Sequence, residues 1–97
     1  MNIQNSEKFY AQAQNFMHGG VKHNLAFNYP FPMCMEKAAG AYLYDRDGNE
    51  YIDYICSWGP NILGHSNERV INAVTETCQR GLTFGACHSG EIELAKL

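Results

Sequence analysis

Two β-prone runs, AYLYD (residues 41–45) and EYIDYI (residues 50–55), flank the dipeptide Asp47-Gly48. No other feature of the 97 residues narrows the fold as much. Aromatic and β-branched side chains suit a pleated, half-buried surface. Asp-Gly between two such runs is a hairpin signal, because Gly accepts positive φ without steric cost and Asp tolerates it. Asp45 and Asp53 are then expected as solvated strand residues on either side of the turn. The same stretch, Asp45-Arg46-Asp47-Gly48-Asn49, also looks like the opening of a calcium loop. An EF-hand loop needs a glycine at its sixth position and a glutamate at its twelfth. Counted from Asp45, those places hold Glu50 and Cys56, and the glycine comes two residues early. The turn is the better account, and no metal site is assigned.

The flanks read as helices and loops. In NSEKFYAQAQNFMHGG (residues 5–20), Asn5 or Ser6 serves as N-cap and Glu7 suits the first turn. Phe9, Ala13, Phe16 and Met17 fall on one helical face, and Gly19 or Gly20 supplies the stop. Residues 21–37 contain Pro30 and Pro32 and show no helical period. They are expected to run extended, with a short strand around Met33–Glu36. SWGPNILGH (residues 57–65) is a loop broken by Gly59, Pro60 and Gly64. A second helix is expected from Ser66 to Arg80, with Val70, Ile71, Val74 and Cys78 on its apolar face, Cys78 as core, and Gly81 as its end. EIELAKL (residues 91–97) opens a third helix with no stop signal, so the sequence reads as the beginning of a longer protein. The fold class is α+β: an N-terminal helix, a small antiparallel meander or hairpin, and a second helix.

Composition excludes several functions. Apolar residues make up 45% and charged ones 18%, which is not the profile of a disordered chain. A formal charge of −3 with seven scattered Lys and Arg argues against nucleic acid, whose phosphates need a basic face. No apolar run approaches the roughly 18–20 residues needed to span a bilayer. The start, MNIQNSEKFY, lacks the layout of a signal peptide. The four cysteines, Cys34, Cys56, Cys78 and Cys87, are therefore expected as reduced thiols in a cytoplasmic protein. Cys87-His88 has no accompanying CxxC or HxxxH, so it does not make a zinc pattern; a Cys–His dyad stays open. Trp58, between a strand end and a Gly-Pro loop, is either a core anchor or the wall of a pocket.

The stretch GAYLYDRDGNEYIDYICSWGPNILGH (residues 40–65) resembles the segment G-x-x-L-x-D-x-D-G-x-x-Y-I-D-Y-x-x-S-W-G-P-x-I-L-G-H of class III aminotransferases, with the glutamate-1-semialdehyde 2,1-aminomutases as the closest branch. The preceding GGV and the later RGLTFGA and EIELAKL fall in that family's order. The likeness runs from Phe9 to Leu97 and is most specific over Ala39–His65. It implies the type I fold of pyridoxal-phosphate enzymes, which are homodimers with active sites at the subunit interface. It also implies that this chain is an N-terminal segment, with the large cofactor-binding domain absent.

The family's cofactor lysine and pyridine-pairing carboxylate lie in that large domain. Lys8, Lys22, Lys37 and Lys96 match none of its catalytic positions. No catalytic, cofactor-binding or metal residue is therefore assigned, and pyridoxal phosphate is not expected to bind stably to this chain alone. Its substrate-side residues, carried over by position, are Ser57, Trp58, Gly59 and His23. Where the aminomutases have a serine and an arginine after GGV, this chain has His23 and Ala26. Losing a guanidinium fork removes a natural grip on a substrate carboxylate. Related aminotransferases carry a His-Asn pair there, as His23-Asn24 does. His88 stands where the aminomutases have a threonine, and Glu68 where they have a proline. The implied function is amino-group transfer on a small-molecule amino substrate in the complete enzyme, inactive as this chain alone. The alternative is a non-catalytic homologue acting as an interaction module. Self-association or a homodimer is expected; nucleic acid and membrane are not.

Overall fold

A computed structural model describes residues 1–22 and 29–97. His23, Ala26 and the His23-Asn24 pair lie outside the described residues. The chain divides into two units, 1–67 and 68–97. The first unit holds α1 (Gln4–Ala13), a 3-10 turn (His18–Gly20), and three strands, β1 (Met35–Ala39), β2 (Tyr42–Asp45) and β3 (Glu50–Ile52). The second holds α2 (Glu68–Arg80) and α3 (Ser89–Ala95). The α+β expectation stands.

The strands form an antiparallel meander in the order β1-β2-β3. Tyr42 pairs with Ile52, Leu43 with Tyr51 and Tyr44 with Glu50, the register that a turn at Asp47-Gly48 dictates. The first strand lies two to three residues later than expected. A register shift between Met35 and Lys37 sets Glu36 out of the ladder, and its carboxylate reaches Arg46 at 3.4 Å.

The turn is tied by carboxylates rather than exposed to water. Asp45 is only 3% exposed. One of its oxygens accepts from the backbone N–H groups of Asp47 (2.9 Å) and Asn49 (2.8 Å). The other accepts from the Asn49 amide (2.7 Å) and the Tyr51 hydroxyl (2.8 Å). Burial alone would push the Asp45 carboxyl up, but these donors outweigh it and hold it below the ordinary carboxylate range. The expectation of a solvated Asp45 is thus corrected: its lone pairs are spent on closing the turn.

Asp47 does a second job. Its carboxylate accepts from the N–H groups of Asn5 (2.9 and 3.1 Å) and Ser6 (3.0 Å), the orphan donors of the first turn of α1. The N-cap position belongs to Ile3, which has no capping side chain, and not to Asn5 or Ser6 as expected. Ser6 is fully buried instead, and its Oγ accepts from the Cys34 N–H at 3.4 Å. The helix also stops at Ala13, leaving Phe16 beyond it and 82% exposed. Ala13 is the one buried hydrophobic residue among those described. Polar ties therefore do most of the ordering in the first unit.

In the second unit, α2 carries Glu68 in its first turn and Arg80 in its last, as the helix dipole favours. Gly81, at φ +116, donates to the Thr77 carbonyl and ends the helix as expected. Val70, Ile71 and Val74 are about half exposed, and Cys78 is exposed rather than core. His88 is the N-cap of α3: its Nδ1 accepts from the Gly90 N–H at 3.0 Å, and its ring stacks on Phe84. No helix of the described residues is long and apolar enough to cross a membrane.

Candidate functional site

The loop after β3 folds around one carboxylate. Asp53 follows β3, and its Oδ1 accepts from the N–H groups of Ile55 (2.8 Å) and Cys56 (3.0 Å). This is the local turn that an aspartate makes with the backbone two and three residues on. Its Oδ2 lies 2.6 Å from Nε2 of His65. The two side chains are shielded, at 7% exposure for Asp53 and 17% for His65. The bond from His65, with help from the Cys56 and Ile55 N–H groups, holds the Asp53 carboxyl below the ordinary carboxylate range. Asp53 is thus not the solvated strand residue expected.

His65 is placed from the other side of the loop. Its N–H donates to the Gly40 carbonyl (2.8 Å) and its carbonyl accepts from the Gly40 N–H (2.9 Å), an isolated bridge. The bridge needs glycine beside it. A Cβ on Gly64, at φ +78, would sit 3.0 Å from the Gly40 carbonyl oxygen. Ser66 Oγ adds a bond to the Ala38 carbonyl at 2.9 Å.

Between these anchors runs a left-handed turn. Cys56, Ser57 and Trp58 have φ of +53, +53 and +68, and Gly59 has +106. Left-handed backbone costs about 1–2 kcal/mol per non-glycine residue, so three in a row cost a few. Backbone bonds from Trp58 to Ile55 (3.0 Å), and from Gly59 and Asn61 to Cys56 (3.1 Å each), close the turn. Strain of this kind persists only where the surroundings over-determine it, and it gathers at binding and catalytic sites.

The turn presents Trp58 at 64% exposure. Within this chain the indole is not a core anchor. The turn meets an open hollow of about 410 Å³ at Cys56; its lining also includes Gly40, Asp53, Ile62, Leu63 and His65, and not Ser57, Trp58 or Gly59. Of the substrate-side residues named from the sequence, Ser57, Trp58 and Gly59 come together in this one turn, and His23 lies outside the described residues. Sequence reasoning missed Asp53 and His65 as the pair behind the turn. The available signal was Asp53 at a strand end with a histidine closing the following Gly-rich loop.

Known proteins share this architecture. A model of the aminotransferase class-III family matches residues 25–96. A glutamate-1-semialdehyde 2,1-aminomutase from Clostridium kluyveri is 46% identical over 94% of this chain and 22% of its own length. Glutamate-1-semialdehyde 2,1-aminomutase 2 from Bacillus pumilus is 47% identical over 95% of this chain and 22% of its own length. A solved transaminase with bound PLP superposes with a TM-score of 0.93 at 29% identity, covering 99% of this chain and 23% of its own.

Proposed function

The chain belongs to the class-III aminotransferase family, and from that premise we propose that it forms the N-terminal, substrate-side part of an enzyme that moves an amino group with pyridoxal phosphate. The glutamate-1-semialdehyde aminomutase type is favoured by relatives at 46–47% identity. The chain spans about 22% of the length of those curated relatives. The observation that carries the proposal is Trp58, presented at 64% exposure by a left-handed turn through Cys56, Ser57 and Gly59. A pocket wall wants a rigid aromatic face on a loop fixed by a scaffold. Ser57 and Gly59 shape that wall, and His23 is assigned to the same side by its place in the sequence.

Pyridoxal phosphate, when bound, supplies an electron sink at the amino-bearing carbon. It needs a lysine for its aldehyde and a carboxylate for its pyridine nitrogen. The described residues do not meet that need. Lys37 lies over the Tyr44 ring at 4.6 Å, Lys96 pairs with Glu93 at 3.4 Å, and Lys8 lines a separate hollow with Arg46. No lysine lines the hollow at Cys56 and His65. Asp45 and Asp53 are spent on the backbone and on Tyr51, Asn49 and His65. The part assigned to this chain is therefore to place an aromatic wall and exclude water from one side of a substrate. The second reading is a non-catalytic interaction module. Half-exposed Val70, Ile71 and Val74 support self-association, and four free cysteines support a cytoplasmic setting.

A graft tests the proposal. This chain replaces the matching segment of the Clostridium kluyveri aminomutase, and conversion of glutamate 1-semialdehyde is measured. Activity within about tenfold of the parent, roughly 1.4 kcal/mol in barrier, is expected. A soluble, cofactor-loaded graft with no activity on any amino donor would favour the interaction module.

A further inference from the structure

We propose that Asp53 is the positioning residue for Trp58: its carboxylate, oriented by His65, holds the Cys56–Gly59 turn in the left-handed form that presents the indole. The proposal deepens the assignment of Trp58 as a pocket wall and takes its functional meaning from it. Its physical basis stands on the loop alone. Nothing in the types Cys, Ser and Trp favours positive φ, so the conformation must be imposed from outside. Two fixed points impose it. Asp53 Oδ1 gathers the Ile55 and Cys56 N–H groups, which sets the chain direction immediately before the first left-handed residue. Asp53 Oδ2 meets His65, which is itself pinned to Gly40 by two backbone bonds. The carboxylate is thus tied to the corner between β1 and β2 and cannot turn away. Shielding of both side chains keeps water from competing for the bond. Without Asp53, the Ile55 and Cys56 N–H groups lose their acceptor, and the turn is free to relax to right-handed backbone. The indole then leaves its place while the meander stays.

The chain contains a single tryptophan, so Trp58 reports on itself. The experiment compares Asp53→Ala with the unmodified chain by near-ultraviolet circular dichroism of the indole and by amide hydrogen exchange. The Ile55, Cys56, Trp58 and Gly59 amides are expected to exchange at least about tenfold faster, and the indole dichroism to fade. The Leu43 and Tyr44 amides keep their protection. Adding Ser57→Gly, which removes the steric cost of one left-handed residue, restores part of the turn protection. Turn amides and indole dichroism that match the unmodified chain would overturn the proposal. So would an equal loss at Leu43 and Tyr44, which would make Asp53 a general support. Where Asp53→Ala does not fold, Asp53→Asn decides. Its Oδ1 still accepts from Ile55 and Cys56, so protection should fall by less than tenfold and the indole dichroism should persist. Turn amides in Asp53→Asn that lose protection together with Leu43 and Tyr44 would refute the assignment. Neither readout involves substrate or cofactor, so failure here leaves the amino-transfer proposal to the graft.

Discussion

Asp47→Ala tests whether a turn residue caps a helix more than forty residues earlier in the chain. The substitution removes three contacts of 2.9–3.1 Å to the Asn5 and Ser6 N–H groups. Ile3 has no side chain to replace them. Losing an N-cap oxygen typically costs about 1 kcal/mol, within a range of roughly 0.5–2. Removing a negative charge from a helix N-terminus adds about 0.3–1 kcal/mol. The expected loss is therefore about 1–2 kcal/mol. For a chain of this size each kcal/mol lowers Tm by roughly 4–8 °C. Asp47→Asn keeps an acceptor oxygen without the charge and should lose about half as much. Thermal melts give the size of the effect, and hydrogen exchange gives its place. Asn5 and Ser6 amides should lose protection in Asp47→Ala and keep most of it in Asp47→Asn. A melt unchanged within about 0.3 kcal/mol, with both amides still protected, would refute the non-local cap.

Three further outcomes follow from the same contacts. Gly64→Ala should destabilise by about 1–3 kcal/mol and loosen the Gly40–His65 bridge, because its Cβ meets the Gly40 carbonyl at 3.0 Å with φ at +78; an unchanged melt would contradict the close approach. Asp45 and Asp53 both have folded-state carboxyl pKa values held below the ordinary range, so their stabilisation is complete above the unfolded carboxylate value of about 3.9 and disappears as pH falls through the lower folded values. Circular dichroism should accordingly stay flat on acidification down to about pH 5 and fall below about pH 4, whereas a main transition above pH 5 would point to other groups. Incubation of this chain with pyridoxal phosphate and borohydride should leave no single lysine stoichiometrically labelled, and mass spectrometry showing one such lysine would overturn the cofactor assignment.

The hairpin was legible because its signals are local: Asp47-Gly48 names the turn, and aromatic residues mark the strands. Amphipathic α2 and its stop at Gly81 were legible for the same reason. The N-terminal cap was not, because its oxygen arrives from Asp47 and not from the helix's own flank. Charge alone also misled at Asp45 and Asp53. A sequence shows a carboxylate as soluble, but it does not show four donors converging on one and a histidine closing on the other. The bulge at Glu36 displaced β1 from its expected start, since an extra residue in a ladder leaves no compositional mark. The left-handed run through Cys56, Ser57 and Trp58 was invisible because none of those residue types announces positive φ. Trp58 itself stood out by type and setting, and in this chain it is exposed.

The central claim is that Trp58 is a wall of the pocket in which an amino group is moved. Its most direct test is kcat/KM for glutamate 1-semialdehyde in the aminomutase graft, with and without Trp58→Ala. The indole is 64% exposed in this chain, so Trp58→Ala should leave the melt of the chain by itself nearly unchanged, against about 3–5 kcal/mol for a buried aromatic. Catalysis should drop by about tenfold to a hundredfold, roughly 1.4–2.7 kcal/mol of transition-state stabilisation. An unaltered kcat/KM at full cofactor occupancy would contradict the claim and leave the strained turn without a catalytic role.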